Sequence, residues 1–278
     1  MRSVMDIFIR VCSAVALASA LFLFGIFWFQ EGLIFFPEKL APNHRFQFSE
    51  PFDERTIQVA DEKIHSLLFR SKENSTKGVI LFFHGNAGSL DGWGEVAAET
   101  VKRTGWSVWI LDYPGYGKSE GAISSEAQLK RIAQEFYEIA RKEFGPVVVF
   151  GRSIGSGLAV KLAADNQVRA LVLETPYSSV VSLAKRLMPW MPSFVVSLVL
   201  KYKLRSDLEA QTIQAPVLIL HGTSDNVIPL AEATELAKHF PNSTRVQFVT
   251  LEGGGHNDLA SAKDYWIALS DFLLKVKP

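Results

Sequence analysis

The residues best placed by type and spacing to do chemistry lie in the stretch V-V-V-F-G-R-S-I-G-S-G-L-A-V, from Val147 to Val160. A β-branched run ends in Gly151-Arg152-Ser153-Ile154-Gly155, and an apolar helical pattern starts there. In a strand–turn–helix setting, G-x-S-x-G makes a sharp, strained turn that lifts its serine above a sheet. Glycines on either side fit, because side chains at those points collide across the turn. Without that setting the same letters describe a glycine-rich turn with an incidental serine. A serine hydroxyl is a weak nucleophile near neutral pH, so Ser153 needs a base to take its proton.

Six histidines are available, at positions 44, 65, 84, 221, 239 and 256. His44 precedes the first strand pattern, His65 falls in a hairpin strand, and His239 falls in a helical pattern. His256, in L-E-G-G-G-H-N just past the last strand pattern, is the candidate base, on a glycine-rich loop able to bring an imidazole over the turn. The imidazole in turn needs an acid to fix its tautomer. Asp225, in H-G-T-S-D-N-V-I-P after the run Val217–Leu220, is the candidate. Glu174, at the end of the run Ala170–Leu173, is its rival. The order Ser…Asp/Glu…His admits either, and Asp225 is preferred because it lies in a tight polar turn. His221 reads as a residue that holds this turn.

Acyl transfer also requires donors for a developing oxyanion. The backbone N–H of Ile154, at the start of the helix, is one candidate. The second is the N–H of Asn86 in His84-Gly85-Asn86-Ala87-Gly88, where Gly85 allows close approach of the backbone. As a phosphate loop this stretch lacks the Lys-Ser/Thr ending. Asp112-Tyr113-Pro114-Gly115-Tyr116-Gly117 reads as a rigid turn beside the site, with Asp112 satisfying local N–H groups.

These loops need a frame, and the hydrophobic pattern supplies one. Runs at Val79–Phe83, Val108–Leu111, Val147–Phe150, Ala170–Leu173, Val217–Leu220 and Val246–Thr250 are continuous rather than alternating, the mark of parallel strands covered on both faces. Helical spacing separates them, over Ser124–Phe144, Ala231–Phe240 and Ala262–Val276. T-I-Q-V-A and K-I-H-S-L-L-F-R alternate around Asp61-Glu62 as an antiparallel hairpin. The pattern predicts one doubly wound α/β domain over residues 51–278, with function at the loops leaving the carboxyl ends of the strands.

The chain has 278 residues, and Lys plus Arg equals Asp plus Glu at 29 each. With no basic surplus to neutralise phosphates, nucleic-acid binding is not the expected task. The single cysteine, Cys12, excludes an intrachain disulfide and a cysteine-based metal cluster. Residues 11–29 carry no charge. As a helix they span roughly 28 Å, close to the hydrocarbon thickness of a bilayer, with Trp28 near the far interface. A cleaved signal peptide with Ala18-Ser19-Ala20 as its site is the competing reading, but the apolar run continues past it through Phe29.

The expected organisation is therefore a tail and transmembrane anchor at 1–30, a connector at 31–50 hugging the membrane or the domain edge, and the α/β domain. Arg2 and Arg10 before the span put the tail in the cytoplasm and the catalytic domain on the non-cytoplasmic side, in a periplasm or lumen. Asn74-Ser75-Thr76 and Asn242-Ser243-Thr244 match the glycosylation triplet.

H-G-N-A-G, L-D-Y-P-G-Y-G-K-S, G-R-S-I-G, H-G-T-S-D-N-V-I-P and G-G-G-H-N-D, in this order, resemble the α/β-hydrolase superfamily. With one N-terminal span, the wording is similar to the membrane-anchored branch of bud-emergence-type and depalmitoylase-like abhydrolase domain-containing proteins. The resemblance implies an α/β-hydrolase fold, with a mostly parallel central sheet flanked by helices. It implies a triad of Ser153, Asp225 and His256, oxyanion donors at Asn86 and Ile154, and neither metal nor organic cofactor.

Residues 176–214 form the one sizeable insertion and read either as a short helical cap lined with Met, Trp and Phe or as a helix packed on the sheet. A cap favours an apolar acyl group, and a tether brings the pocket near lipids or lipidated proteins. The expected activity is that of a serine hydrolase of carboxylic esters or thioesters. A serine aminopeptidase needs carboxylates for the substrate amine, and the insertion offers only Asp207 and Glu209. A membrane-tethered scaffold without catalysis is the third reading.

Overall fold

In chain order the strands are β1 (Phe36–Pro37), β2 (Phe52–Val59), β3 (Glu62–Phe69), β4 (Val79–Phe83), β5 (Ala87–Gly88), β6 (Ser107–Leu111), β7 (Val147–Arg152), β8 (Ala170–Glu174), β9 (Val217–Gly222) and β10 (Val246–Leu251). The computed structural model describes residues 2–71 and 78–276. Among these, eight strands form one sheet in the order β10-β9-β8-β7-β4-β6-β3-β2. The six from β4 to β10 within it run parallel, and β3 joins β6 antiparallel. The hairpin β2–β3 turns at Ala60-Asp61, one residue earlier than its expected centre.

Alternation across the pleat explains why the central runs are apolar throughout. Leu81, Val149, Leu171 and Ile219 face one core, together with Leu129 and Phe136 of α3 (Glu126–Phe144) and Leu158 of α4 (Ile154–Asp165). Phe82, Phe150, Val172 and Leu218 face the other, against Ala97 of α2 (Leu90–Thr104) and Leu269 and Phe272 of α9 (Lys263–Lys275). Both faces are covered, so no side chain in β4 or β9 is polar until His221 near the end of β9, and His84 follows directly on β4. Each expected helix lies within a few residues of an observed one. Ser125 caps α3 by accepting from the Gln128 N–H at 3.1 Å, and α8 (Leu230–Ala237) stops short of His239.

The N-terminal helix α1 runs Arg2–Ile34, and every residue from Val4 to Phe22 is exposed. Its apolar stretch, Val4–Ile34, is long enough to cross a membrane. The helix continues four residues past the expected end at position 30 because its last turn finds protein partners. The Gln30 side chain donates to the Val199 carbonyl at 3.2 Å and accepts from the Lys201 N–H at 2.8 Å. Glu31 pairs with Lys201 at 3.1 Å. The following segment does not simply skirt the domain: β1 pairs in parallel with β5, and Lys39 bridges to Gly117.

Residues 176–214 contain α5 (Val180–Leu187), α6 (Ser193–Val199) and α7 (Ser206–Glu209). Buried Glu232 of α8 ties α5 down, accepting from Ser178 Oγ at 2.6 Å, Ser182 Oγ at 2.7 Å and Arg186 Nε at 2.5 Å. Met191 and Val196 turn inward, whereas Trp190, Phe194 and Leu198 face out. The Asn74 triplet lies outside the described residues, and Asn242 is in an exposed turn.

Candidate active site

Ser153 stands between β7 and α4 with φ +52° and ψ −122°, a conformation that costs a non-glycine residue of order 1–3 kcal/mol. The neighbouring glycines show why the turn cannot be built otherwise. A Cβ on Gly155 would stand 2.2 Å from the Phe83 carbonyl oxygen, and one on Gly151 would stand 2.6 Å from the Ala159 Cβ. The tight turn brings β7, α4 and the end of β4 into contact, and Ser153 is carried to the carboxyl edge of the sheet. Its N–H donates to the Glu174 carbonyl at 3.0 Å.

Over this edge lies His256, on the loop after β10. Its Nε2 is 3.1 Å from Ser153 Oγ, and its Nδ1 is 2.8 Å from Asp225 Oδ2. A carboxylate only accepts, so Nδ1 carries the proton and Nε2 is left to accept from the serine; the tautomer is assigned from these partners. Asp225 Oδ1 accepts from the N–H groups of Val227 and Ile228, both at 2.8 Å. Burial pushes the Asp225 carboxyl up. The His256 hydrogen bond, the Ile228 N–H, the His256 charge and the Val227 N–H outweigh it, holding the group below its ordinary value. His221, near the end of β9, donates from Nε2 to the Ile228 carbonyl at 2.9 Å and so braces the same turn.

The rival acid has other work. Glu174 Oε1 is 3.2 Å from Arg152 Nε, and its Oε2 accepts from the Tyr265 hydroxyl at 2.8 Å. Arg152, the variable residue before the serine, is a functional candidate that sequence reasoning passed over. Its guanidinium donates to the His256 carbonyl at 3.3 Å and to Asn257 Oδ1 at 3.1 Å, and it lies 4.9 Å from the Trp93 ring centre. A buried arginine between a buried glutamate and the histidine loop fixes where that loop runs. The other histidines are engaged elsewhere, His44 with Asp91, His65 with Glu54 and His239 with Glu235.

Asn86 and Ile154 line the same cavity as Ser153. Close approach at Gly85 is real: a Cβ there would be 3.8 Å from the Ser153 Cβ. The peptide that carries the Asn86 N–H is oriented by His84, whose Nδ1 donates to the Gly85 carbonyl at 2.7 Å. In a trans peptide the C=O and the next N–H point opposite ways, so fixing one aims the other. Burial pushes His84 down to about 4, which keeps the ring neutral. Sequence alone gave His84 no role beyond opening its motif. Asp112 accepts from the Leu90 N–H at 3.1 Å, a group at the start of α2 and not one of its own turn, and burial pushes its carboxyl up to about 8.

The cavity measures about 370 Å³. Its apolar wall comes from Val180, Leu183 and Leu187 of α5, with Leu33 and Ile34 from the end of α1 and Val227 from the acid loop. The Met, Trp and Phe of the 176–214 segment do not line it; Trp190 and Phe194 are exposed.

A family model for the alpha/beta hydrolase fold matches residues 78–210, and a second, for a TAP-like protein, matches 199–277. The chain is 29% identical over 213 residues to protein bem46 of Schizosaccharomyces pombe, covering 74% of this chain and 71% of that one. It is 29% identical over 250 residues to the lysophosphatidylserine lipase ABHD12 of Danio rerio, covering 81% of this chain and 64% of that one. The esterase Pf2001 of Pyrococcus furiosus superposes with a TM-score of 0.65 at 14% identity, over 87% of this chain and 97% of that structure, a likeness of fold. By sheet order, motif order and these matches, the chain has the alpha/beta-hydrolase fold and is similar to proteins of the abhydrolase branch that its motifs resemble.

Proposed function

We propose that the protein is a membrane-anchored serine hydrolase that cleaves carboxylic esters or thioesters of acyl, lipid-like substrates. The observation that carries this reading is the continuous contact from Ser153 Oγ to His256 Nε2 at 3.1 Å and from His256 Nδ1 to Asp225 Oδ2 at 2.8 Å. In the proposed reaction Ser153 Oγ attacks the acyl carbon while its proton passes to His256 Nε2. Asp225 orients the ring and stabilises the imidazolium that forms. The N–H groups of Asn86 and Ile154 receive the oxyanion. Collapse of the tetrahedral species expels the alcohol or thiol, which takes the proton from His256. Water then repeats the sequence on the acyl-enzyme and frees the acid.

The cavity supports an apolar acyl group. Leu33 and Leu187 line it while remaining 64% and 83% exposed, so its mouth is apolar outward as well as inward. Leu33 and Ile34 end the helix read as the anchor. A substrate held in a membrane therefore has a short route to Ser153. The lipase relative, named for a lysophospholipid, is consistent with this class. Arg2 and Arg10 before the span favour a cytoplasmic tail and a catalytic domain, residues 51–278, on the opposite side. The two carboxylates that an aminopeptidase reading would use are already paired, Asp207 with Arg205 at 2.6 Å and Glu209 with Lys161 at 3.3 Å, and neither lines the cavity.

A fluorophosphonate probe on detergent-solubilised protein tests the reading: labelling is expected in the wild type and absent from Ser153→Ala. Ester and thioester series of increasing chain length, run against aminoacyl anilides, then rank the substrates. Preferential turnover of anilides would reverse the order, and an unlabelled wild type would leave a scaffold.

A further inference from the structure

The segment that follows the N-terminal helix is hydrogen-bonded to the loop proposed to receive the oxyanion. The Phe36 N–H donates to the Asn86 carbonyl at 2.8 Å, and the Tyr116 hydroxyl donates to the same oxygen at 2.6 Å. Two donors occupy the two lone pairs of that carbonyl, which fixes the plane of the peptide after Asn86. The Asn86 side chain reaches back, its Nδ2 donating to the Ile34 carbonyl at 3.1 Å in the last turn of α1. An uncapped helix end exposes such carbonyls, so the amide serves the helix as well as the loop. The Glu38 N–H donates to the Gly88 carbonyl at 2.9 Å, completing the β1–β5 ladder.

The other side of the segment is equally held. The Leu40 N–H donates to the Gly117 carbonyl at 3.0 Å, and the Gly117 N–H donates to the Glu38 carbonyl at 2.8 Å. Residues 36–40 thus run between the His84–Gly88 loop and the Asp112–Gly117 turn and bond to both. Upstream, Phe35 is buried against the Tyr202 ring, with centroids 5.1 Å apart. The route from α1 to the loop contains no unbonded stretch.

We propose that residues 34–40 are a positioning element for the reaction: by bonding Asn86 through the Ile34 carbonyl and the Phe36 N–H, they hold its N–H on the oxyanion, so the anchor and the catalytic loop act as one mechanical unit. The inference rests on the serine-hydrolase reading above. His84 orients the peptide before Asn86 and Phe36 the peptide after it, leaving the residue little freedom about its own φ and ψ. The segment contributes to turnover, not only to attachment, and substrate binding in the cavity is largely independent of it.

The test compares Phe36→Pro with Phe36→Ala in the full-length protein in detergent, assayed with p-nitrophenyl butyrate. Both lose the aromatic ring, but only the proline loses the N–H. Phe36→Pro should lower kcat about tenfold or more, part of the ~10²–10³ that removal of an oxyanion donor costs, with KM within about twofold. Phe36→Ala should keep most of kcat. Equal kcat in the two folded variants would overturn the proposal. Should Phe36→Pro fail to fold, Asn86→Ala keeps the backbone donor and loses only the bond to Ile34. A several-fold fall in its kcat at constant KM supports the proposal, and an unchanged kcat sinks it. Ser153 labelling of the wild type by fluorophosphonate separates the two levels: without it the hydrolase reading fails first, and with it these variants judge the positioning role alone.

Discussion

Arg152 and His256 are joined across the site: the guanidinium donates to the histidine's main-chain carbonyl at 3.3 Å while its Nε pairs with buried Glu174 at 3.2 Å. His256 therefore hangs from the residue next to Ser153. Side chains 152 and 174 are 8% and 2% exposed, so the pair cannot fall back on solvent. Arg152→Ala strands a buried carboxylate and should destabilise the protein by about 3–5 kcal/mol in urea unfolding. Arg152→Lys keeps a charge but not the fork that spans Glu174 and the histidine loop. It should unfold closer to the wild type yet turn over substrate more slowly. Wild-type kcat in Arg152→Lys would show that the loop holds itself.

Asp225 is expected to act through His256 alone. Asp225→Asn removes the acceptor that sets the tautomer, and kcat should fall by about 10⁴-fold with little change in KM. Joining it to Ser153→Ala should cost almost nothing further, because the three residues work as a unit. Additive losses in the double variant would argue against a shared relay.

The same carboxyl predicts a pH dependence. Its folded pKa is held below the ordinary value, so its contribution to stability is present above the unfolded pKa of about 3.9 and is lost as pH falls through the lower folded value. Near pH 7 the wild type should be more resistant to urea than Asp225→Asn, and the gap should narrow only below about pH 4. A loss of activity at mildly acid pH would then not arise from protonation of Asp225. A stability gap already closed at pH 6 would contradict the assignment.

Gly155 tests the elbow. Its Cβ would stand 2.2 Å from one main-chain oxygen and 2.6 Å from another, those of Phe83 and His84. Backbone cannot rotate away as a side chain can. Gly155→Ala should cost at least the 1–3 kcal/mol of ordinary overpacking and displace Ser153, so probe labelling falls even in the folded fraction. Gly92→Ala, in α2 with open space around it, is the control and should be neutral or mildly stabilising.

The cavity mouth predicts a chain-length effect. Leu187 is 83% exposed, so Leu187→Glu should leave the melting temperature nearly unchanged. It should raise KM for long acyl esters while sparing short ones, because only a long chain reaches the rim. A uniform loss across the series would mean that the acyl group leaves the cavity by another side.

Much of this arrangement was legible in order and pattern. Continuous apolar runs gave the parallel strands because a strand covered on both faces has no polar side to display. Gly151 and Gly155 marked the elbow because its crowding excludes a Cβ. Asp225 over Glu174 was a preference from turn chemistry; that Asp225 meets His256 while Glu174 meets Arg152 and Tyr265 rests on contacts that sequence does not contain. Arg152 was invisible because arginine at a variable position has many uses, and only its surroundings select one. The connector was read as hugging the membrane or the domain edge because two residues of strand are too short to announce themselves.

Local patterning, then, determined which segments become strands and helices and in what order the reactive residues follow one another, since those depend on periodicity and on the φ/ψ each residue tolerates. The placing of Arg152 between Glu174 and His256, and of Phe36 against Asn86, was decided by the tertiary structure alone. Each joins residues far apart in the chain, whose separation in space is set by strand order, twist and the packing of helices on both faces of the sheet.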